Sequence, residues 1–128
     1  MRMKLIQRVL KRLNDSSEQI EACALISSDG LIINSALPKH IDDAHIGAKS
    51  AALLAISERA CCELKRGNIE QFVIQCEGGF LMGQYVGDEA LLTVLVSSNG
   101  NLGRLFVSVR DITHALNILL KEVYDDYK

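Results

Sequence analysis

The stretch DDAHIGAKSAALLAISERACCELKRG, residues 42–67, decides how this chain is read. Wrapped at about 100° per residue, it is a helix with two apolar faces. Ile46, Leu53, Leu54, Ala60, Cys61 and Leu64 fall on a broad stripe suited to covering a sheet. Ala44, Ala48, Ala51, Ala52, Ala55 and Cys62 form a second stripe roughly opposite, made only of small side chains. Such a face lets another backbone come close and gains nothing from facing water, so the helix is expected to have two neighbours. Asp42 is the predicted N-cap, Ile41 and Ile46 are spaced as a hydrophobic staple, and Gly67 is placed to close the helix in the left-handed conformation.

Working outward, residues 3–13 read as a first helix, with Leu5, Ile6, Val9, Leu10 and Leu13 on one arc and Lys4, Arg8, Lys11 and Arg12 on the other. Residues 21–27 and 31–36 read as strands joined by Ser28-Asp29-Gly30, a hairpin turn whose glycine takes positive φ freely. Beyond the middle helix, residues 69–76, 80–86 and 90–96 are three more strands. Their short connections, Glu77-Gly78-Gly79 and Gly87-Asp88-Glu89, force antiparallel neighbours. A polar turn over 97–101 leads into a last helix carrying Leu102, Leu105, Phe106, Val109, Ile112, Leu116, Leu119, Leu120 and Val123 at helical spacing, with a polar, fraying end from 124. The runs 22–26 and 91–96 are almost continuously apolar, so both faces of the sheet are expected to be covered. The expected fold is an α/β (α+β) three-layer sandwich of order α-β-β-α-β-β-β-α. Its five-stranded antiparallel sheet has the middle helix on one face and the terminal helices on the other.

At 128 residues the chain suits one domain over 1–128 with one core. A net charge of -2, few aromatics and no Trp argue against a nucleic-acid module. Cys23, Cys61, Cys62 and Cys76 lie in apolar runs, as buried thiols in a reducing cytoplasm would. No run has the length of a membrane span or the form of a signal peptide.

The pattern resembles the roadblock domain, a profilin-like fold shared by dynein light chains of the roadblock type and prokaryotic regulators of Ras-like GTPases. The carriers are residues 25–33 (LISSDGLII), residues 63–71 (ELKRGNIEQ) and Asn101-Leu102-Gly103 opening the last helix. The resemblance implies a homodimer, or pairing with a paralogous roadblock domain. It also implies binding or regulation of a small Ras-like GTPase without GTPase activity of its own. In that family the third strand pairs with its counterpart across the dimer while the middle helices pack side by side. Carried over, the strand is 69–76, with Phe72 and Ile74 at the interface, and the small-residue stripe gains a use in dimer or partner packing. Lys49, Arg59, Glu63 and Arg66 flank it as candidate rim contacts.

Other readings stay open. The Ala stripe also suits a contact within the monomer, or simple helix propensity. The first helix places Arg2, Lys4, Arg8, Lys11 and Arg12 before any acid, which suits an anionic membrane, an acidic partner or plain solvation. Catalysis is not expected: there is no Gly-x-x-x-x-Gly-Lys-Ser/Thr loop, no Gly-x-Ser-x-Gly elbow, and no arginine is marked as a finger. His40, His45 and His114 read as surface or partly buried side chains. Adjacent Cys61 and Cys62 point about 100° apart on a helix, so no metal and no cofactor are expected. The alternatives in function are a structural subunit of a motor or membrane-associated complex, or a small-molecule sensor.

Overall fold

A computed structural model of the chain describes residues 2–98 and 101–126. Asn99 and Gly100 of the expected turn, the two final residues of the expected polar end, and the side chains of Arg2, Leu102 and residues 123–126 lie outside the described residues. The elements are α1 (Arg2–Asp15), β1 (Ile20–Ser27), β2 (Ile32–Ala36), α2 (Asp43–Glu63), β3 (Gln71–Cys76), β4 (Gly79–Val86), β5 (Ala90–Ser97) and α3 (Leu102–Asp126). The strands form one antiparallel sheet in the order β2-β1-β5-β4-β3. The architecture is the expected three-layer sandwich, with α1 beside α3 on one face and α2 on the other.

The central strands explain the layering. Along β1 the side chains of Cys23 and Leu25 join the core under α1 and α3, while Ala24 and Ile26 join Ile46 of α2 on the opposite face. A register shift between Ile20 and Ala22 puts Glu21 outside, the one exposed side chain of that strand. Burial of β1 on both sides is what its unbroken apolar run requires. The larger core holds Ile6, Leu10, Leu13, Leu92, Val94, Val109 and Leu116, all nearly or fully inaccessible.

Three expectations need correction. The middle helix ends at Glu63, short of 66, and its left-handed residue is Lys65 (φ 59), with Gly67 (φ 85) following two positions later. The N–H of Lys65 donates to the Cys62 carbonyl and that of Arg66 to the Cys61 carbonyl, the paired bonds of a Schellman cap. These bonds satisfy the last carbonyls before the glycine is reached, so Gly67 only redirects the chain. Second, the stripe assigned to the sheet holds only in part. Ile46 and Leu54 are buried and Leu53 and Cys61 half-buried, but Ala60 is exposed and Leu64 is 71% exposed, because the end of α2 overhangs the sheet. Third, of the four cysteines expected to be buried only Cys23 is; Cys61 is half-buried, and Cys62 and Cys76 are exposed because they lie on the outer side of α2 and at the end of β3.

Gly47 brings α2 against the first hairpin: a Cβ there would overlap the carbonyl oxygen of Gly30. Glycine to alanine inside a helix ordinarily stabilises by about 1 kcal/mol. Gly47→Ala is expected to reverse that sign and cost about 1–3 kcal/mol through overpacking, read as a lower urea midpoint with unchanged slope. Burial pushes the Cys23 thiol up from 9.0 to about 12, and the thiol donates to the Leu10 carbonyl at 3.3 Å. The unfolded chain therefore loses this proton first as pH rises. Stability should be independent of the group below pH 9.0 and then decline toward pH 12, by up to about 1.4 kcal/mol per pH unit. Cys23→Ala should lack that component in the same pH series.

Candidate interaction surface

The surface next to α2 is built by how that helix is seated. Asp42 caps it, its carboxylate accepting from the Ala44 N–H at 3.0 Å. One turn on, Gly47 meets Gly30, and Thr93 of β5 donates through its hydroxyl to Ser50 Oγ at 2.9 Å, both residues buried. These contacts hold α2 over β1 and β2. The β4 and β3 half of the same face is therefore less covered than the continuous apolar strands imply. In register, Ile74 stands opposite Leu81 and Leu81 opposite Leu95, while Phe72 stands opposite Gly83. Phe72, Ile74, Leu81 and Leu95 are all only half-buried. The Phe72 ring lies across Gly83, in space where any Cβ at that position would collide.

Between α2 and this strip runs a groove of about 420 Å³. Ile41, Ile46, Leu81 and Leu95 line it, with His40, His45 and Lys49 also on its walls. A wider cleft of about 910 Å³ opens beyond the end of α2, bordered by Glu58, Cys62, Lys65, Glu70, Tyr85 and Asp88. Ala44, Ala48, Ala52, Ala55 and Cys62 are exposed on the side of α2 away from the sheet. Ala51 differs: it is half-buried, and its Cβ lies where it would touch a side chain on Gly30. Lys49 is exposed beside the groove, and Arg66 is exposed beyond the helix cap. Arg59 and Glu63 pair with each other at 2.9 Å while 82% and 65% exposed. An ion pair in that setting contributes only about 0.3–0.5 kcal/mol.

The two sheet edges are treated differently. At β2, α1 reaches over: Gln7 Nε2 donates to the Ser35 carbonyl at 3.0 Å and Asn14 Nδ2 to the Ala36 carbonyl at 2.8 Å. Asn34 Nδ2 returns a bond to the Met3 carbonyl at 3.1 Å. At β3 the outer edge has no such tie among the described residues, and Gln71, Val73, Gln75 and Cys76 are exposed. An unpaired strand edge is a template for another strand. Sequence reasoning missed Leu81, Leu95 and Gly83 in this surface. The sequence of β3 carries little signal of it, because Phe72-Val73-Ile74 is an unbroken apolar run like those of β1 and β5 and only the burial alternates along it.

Elsewhere the chemistry is sparse. His40, His45 and His114 are exposed. Among the described residues no group of three or more His, Cys, Asp or Glu is placed to hold a metal ion, and no helix is long and apolar enough to cross a membrane.

A family model described as the Roadblock/LC7 domain matches residues 5–96. A protein of Methanocaldococcus jannaschii, described as uncharacterized, is 34% identical over 106 residues, which cover 83% of this chain and 91% of the relative. Among solved structures, MglB of Myxococcus xanthus matches with a TM-score of 0.87 at 17% identity, covering 94% of this chain and 90% of that one. A structure described as MglB with tetrameric arrangement matches at 0.85 and 17%, covering 94% and 91%. At such identities the structural likeness establishes the fold.

The Ser50 and Thr93 pair generates a direct test of the seat. Ser50→Ala or Thr93→Val alone leaves a buried hydroxyl or its former acceptor unmatched and is expected to cost about 1–3 kcal/mol. The double variant should cost less than the sum of the two, measured as a double-mutant cycle in urea.

Proposed function

Because the chain belongs to the Roadblock/LC7 domain family, we propose that it is a non-catalytic, dimeric interaction module, one domain over 1–128, that acts in the cytoplasm by docking a small Ras-like GTPase. It scaffolds that GTPase or biases its nucleotide state. The observation that carries the reading is the untied β3 edge beside the half-bare strip of Phe72, Ile74, Leu81 and Leu95, to which the outer side of α2 adds exposed small side chains. In this reading β3 pairs with β3 of a second copy or of a paralogous domain, and Ala44, Ala48, Ala51, Ala52, Ala55 and Cys62 pack at or beside the helix contact. Lys49, Arg59, Glu63 and Arg66 form its rim. The tetrameric arrangement described for MglB is support by analogy.

A GTPase is shifted by such a module only through different affinity for its two nucleotide states. Nothing in the reading requires a catalytic residue from this chain. The groove of about 420 Å³ favours a second reading, a small-molecule sensor, since its volume and mixed lining fall in the range of ligand sites.

Light scattering on the purified chain at micromolar concentrations is expected to give about twice 14.1 kDa. Ala52→Arg with Ala55→Arg should yield monomers of unchanged helicity. Both positions are exposed, so this pair spares the intramolecular packing that Ala51→Arg would break. Dimers should retain a Ras-like GTPase with a preference between GDP and a non-hydrolysable GTP analogue. A strict monomer overturns the dimer, and assembly indifferent to both arginines overturns the packing of the α2 stripe in it. A dimer that binds the GTPase in neither state overturns the docking role. A metabolite-dependent rise in Tm that survives the arginines would favour the sensor.

A further inference from the structure

The layer of α1 and α3 presents a second surface, on the far side of the sheet from α2. With Ile6, Leu10 and Leu13 turned to the core, Lys4, Leu5, Arg8, Lys11 and Arg12 all lie on the outer half of α1 and are exposed. Beside it, α3 buries Leu105, Val109, Leu116 and Leu120. Its outer side carries Val107, 61% exposed, and three turns later Ile118, 50% exposed, with Arg104, Arg110 and Lys121 around them.

Charge is segregated in the same way. Residues 16–101 hold eleven of the sixteen acidic residues but five of the fourteen basic ones. On the outer faces of the terminal helices, the seven cations named above stand against Asp15, Asp111 and Glu122. Among the described residues, Lys4, Arg8, Lys11 and Arg12 form no ion pair. A cationic plane on a chain of net charge -2 is complementary to an anionic sheet.

The aliphatic side chains select the kind of anion. Leu5, Val107 and Ile118 stand out among the cations, and among the described residues no exposed aromatic ring is there to stack on a base. Phosphodiester backbones offer nothing to isolated aliphatics, whereas a lipid interface takes cations at its headgroups and aliphatics at the acyl boundary. We propose that the outer face of α1 and α3 is a peripheral docking surface for anionic lipid bilayers. α1 lies along the headgroups, and Leu5, Val107 and Ile118 reach the hydrocarbon edge. The surface is independent of the assembly through α2 and β3, which leaves it free in every copy.

Vesicle flotation of the full chain tests this. The chain should float with phosphatidylcholine vesicles containing phosphatidylglycerol and stay behind with phosphatidylcholine alone. Binding should be released between about 0.1 M and 1 M salt, as the screening length falls from about 10 Å to about 3 Å. Arg8→Glu with Arg12→Glu should lower the bound fraction about tenfold or more. Val107→Ser with Ile118→Ser should weaken it severalfold, and Lys39→Glu with Lys65→Glu should leave it unchanged. Circular dichroism verifies the fold of each variant, and Lys4→Gln with Lys11→Gln replaces the first pair if that pair unfolds. Absence of flotation at low salt, equal binding to neutral vesicles, or indifference to both charge pairs overturns the proposal. Retention on heparin or single-stranded DNA without flotation overturns it in favour of another polyanion.

Discussion

The rest of the molecule depends on the approach of the α2 backbone at Gly47 to the hairpin carbonyl of Gly30. A helix normally stands off a sheet by the length of its side chains, and here one glycine on each side removes that spacing. The contact lies in the first turns of α2, next to the buried bond between Thr93 and Ser50. Together they anchor the helix near its N-terminal end and over the β1 and β2 side. The far end, with no comparable tie among the described residues, overhangs with Leu64 in solvent. Where α2 lies decides which part of the sheet is bare.

The edges follow the same logic. β2 is short, takes a register shift against β1, and has its carbonyls engaged by Gln7 and Asn14 from α1. Such an edge is a poor template for a further strand. β3 keeps a straight register along β4 and lacks any side chain bonded across its outer edge among the described residues. The fold thus offers one open edge out of two, beside the bare strip, and a partner strand there would continue a sheet that already has an apolar floor.

Element order, strand pairing and the division of helices between faces were legible because they rest on local signals. Asp42 caps as its side-chain chemistry dictates, Gly30 takes φ 88 in the first hairpin, and the short turns leave antiparallel pairing as the only choice. The end of α2 was not legible, because Lys65 adopts a conformation that glycine favours and Gly67 stood nearby as the better candidate. Periodicity also misplaced Ala60 and Leu64, since a helical wheel treats a helix as covered along its whole length. The small-residue stripe was visible as a pattern. That Ala51 belongs partly to the hairpin contact was not, because it depends on Gly30, 21 positions away in sequence.

Simple widths explain why the α2 face is covered less than the other. Five strands at about 4.8 Å spacing are about 19 Å across, whereas one helix with its side chains is about 10–12 Å wide. α1 and α3 together cover the sheet from β2 to β4, and the large core lies beneath them. α2 alone spans about half, and its seat pushes that half to the β2 side. The remaining width is close to one more helix, and the strip beneath it carries Phe72, Ile74, Leu81 and Leu95 rather than charges. A chain with three helices and five strands cannot close both faces by itself. A helix from outside would complete that side; where it met α2 it would find His45, Ile46 and Lys49 on the wall of the groove, while the small side chains stand on the outer side of the helix.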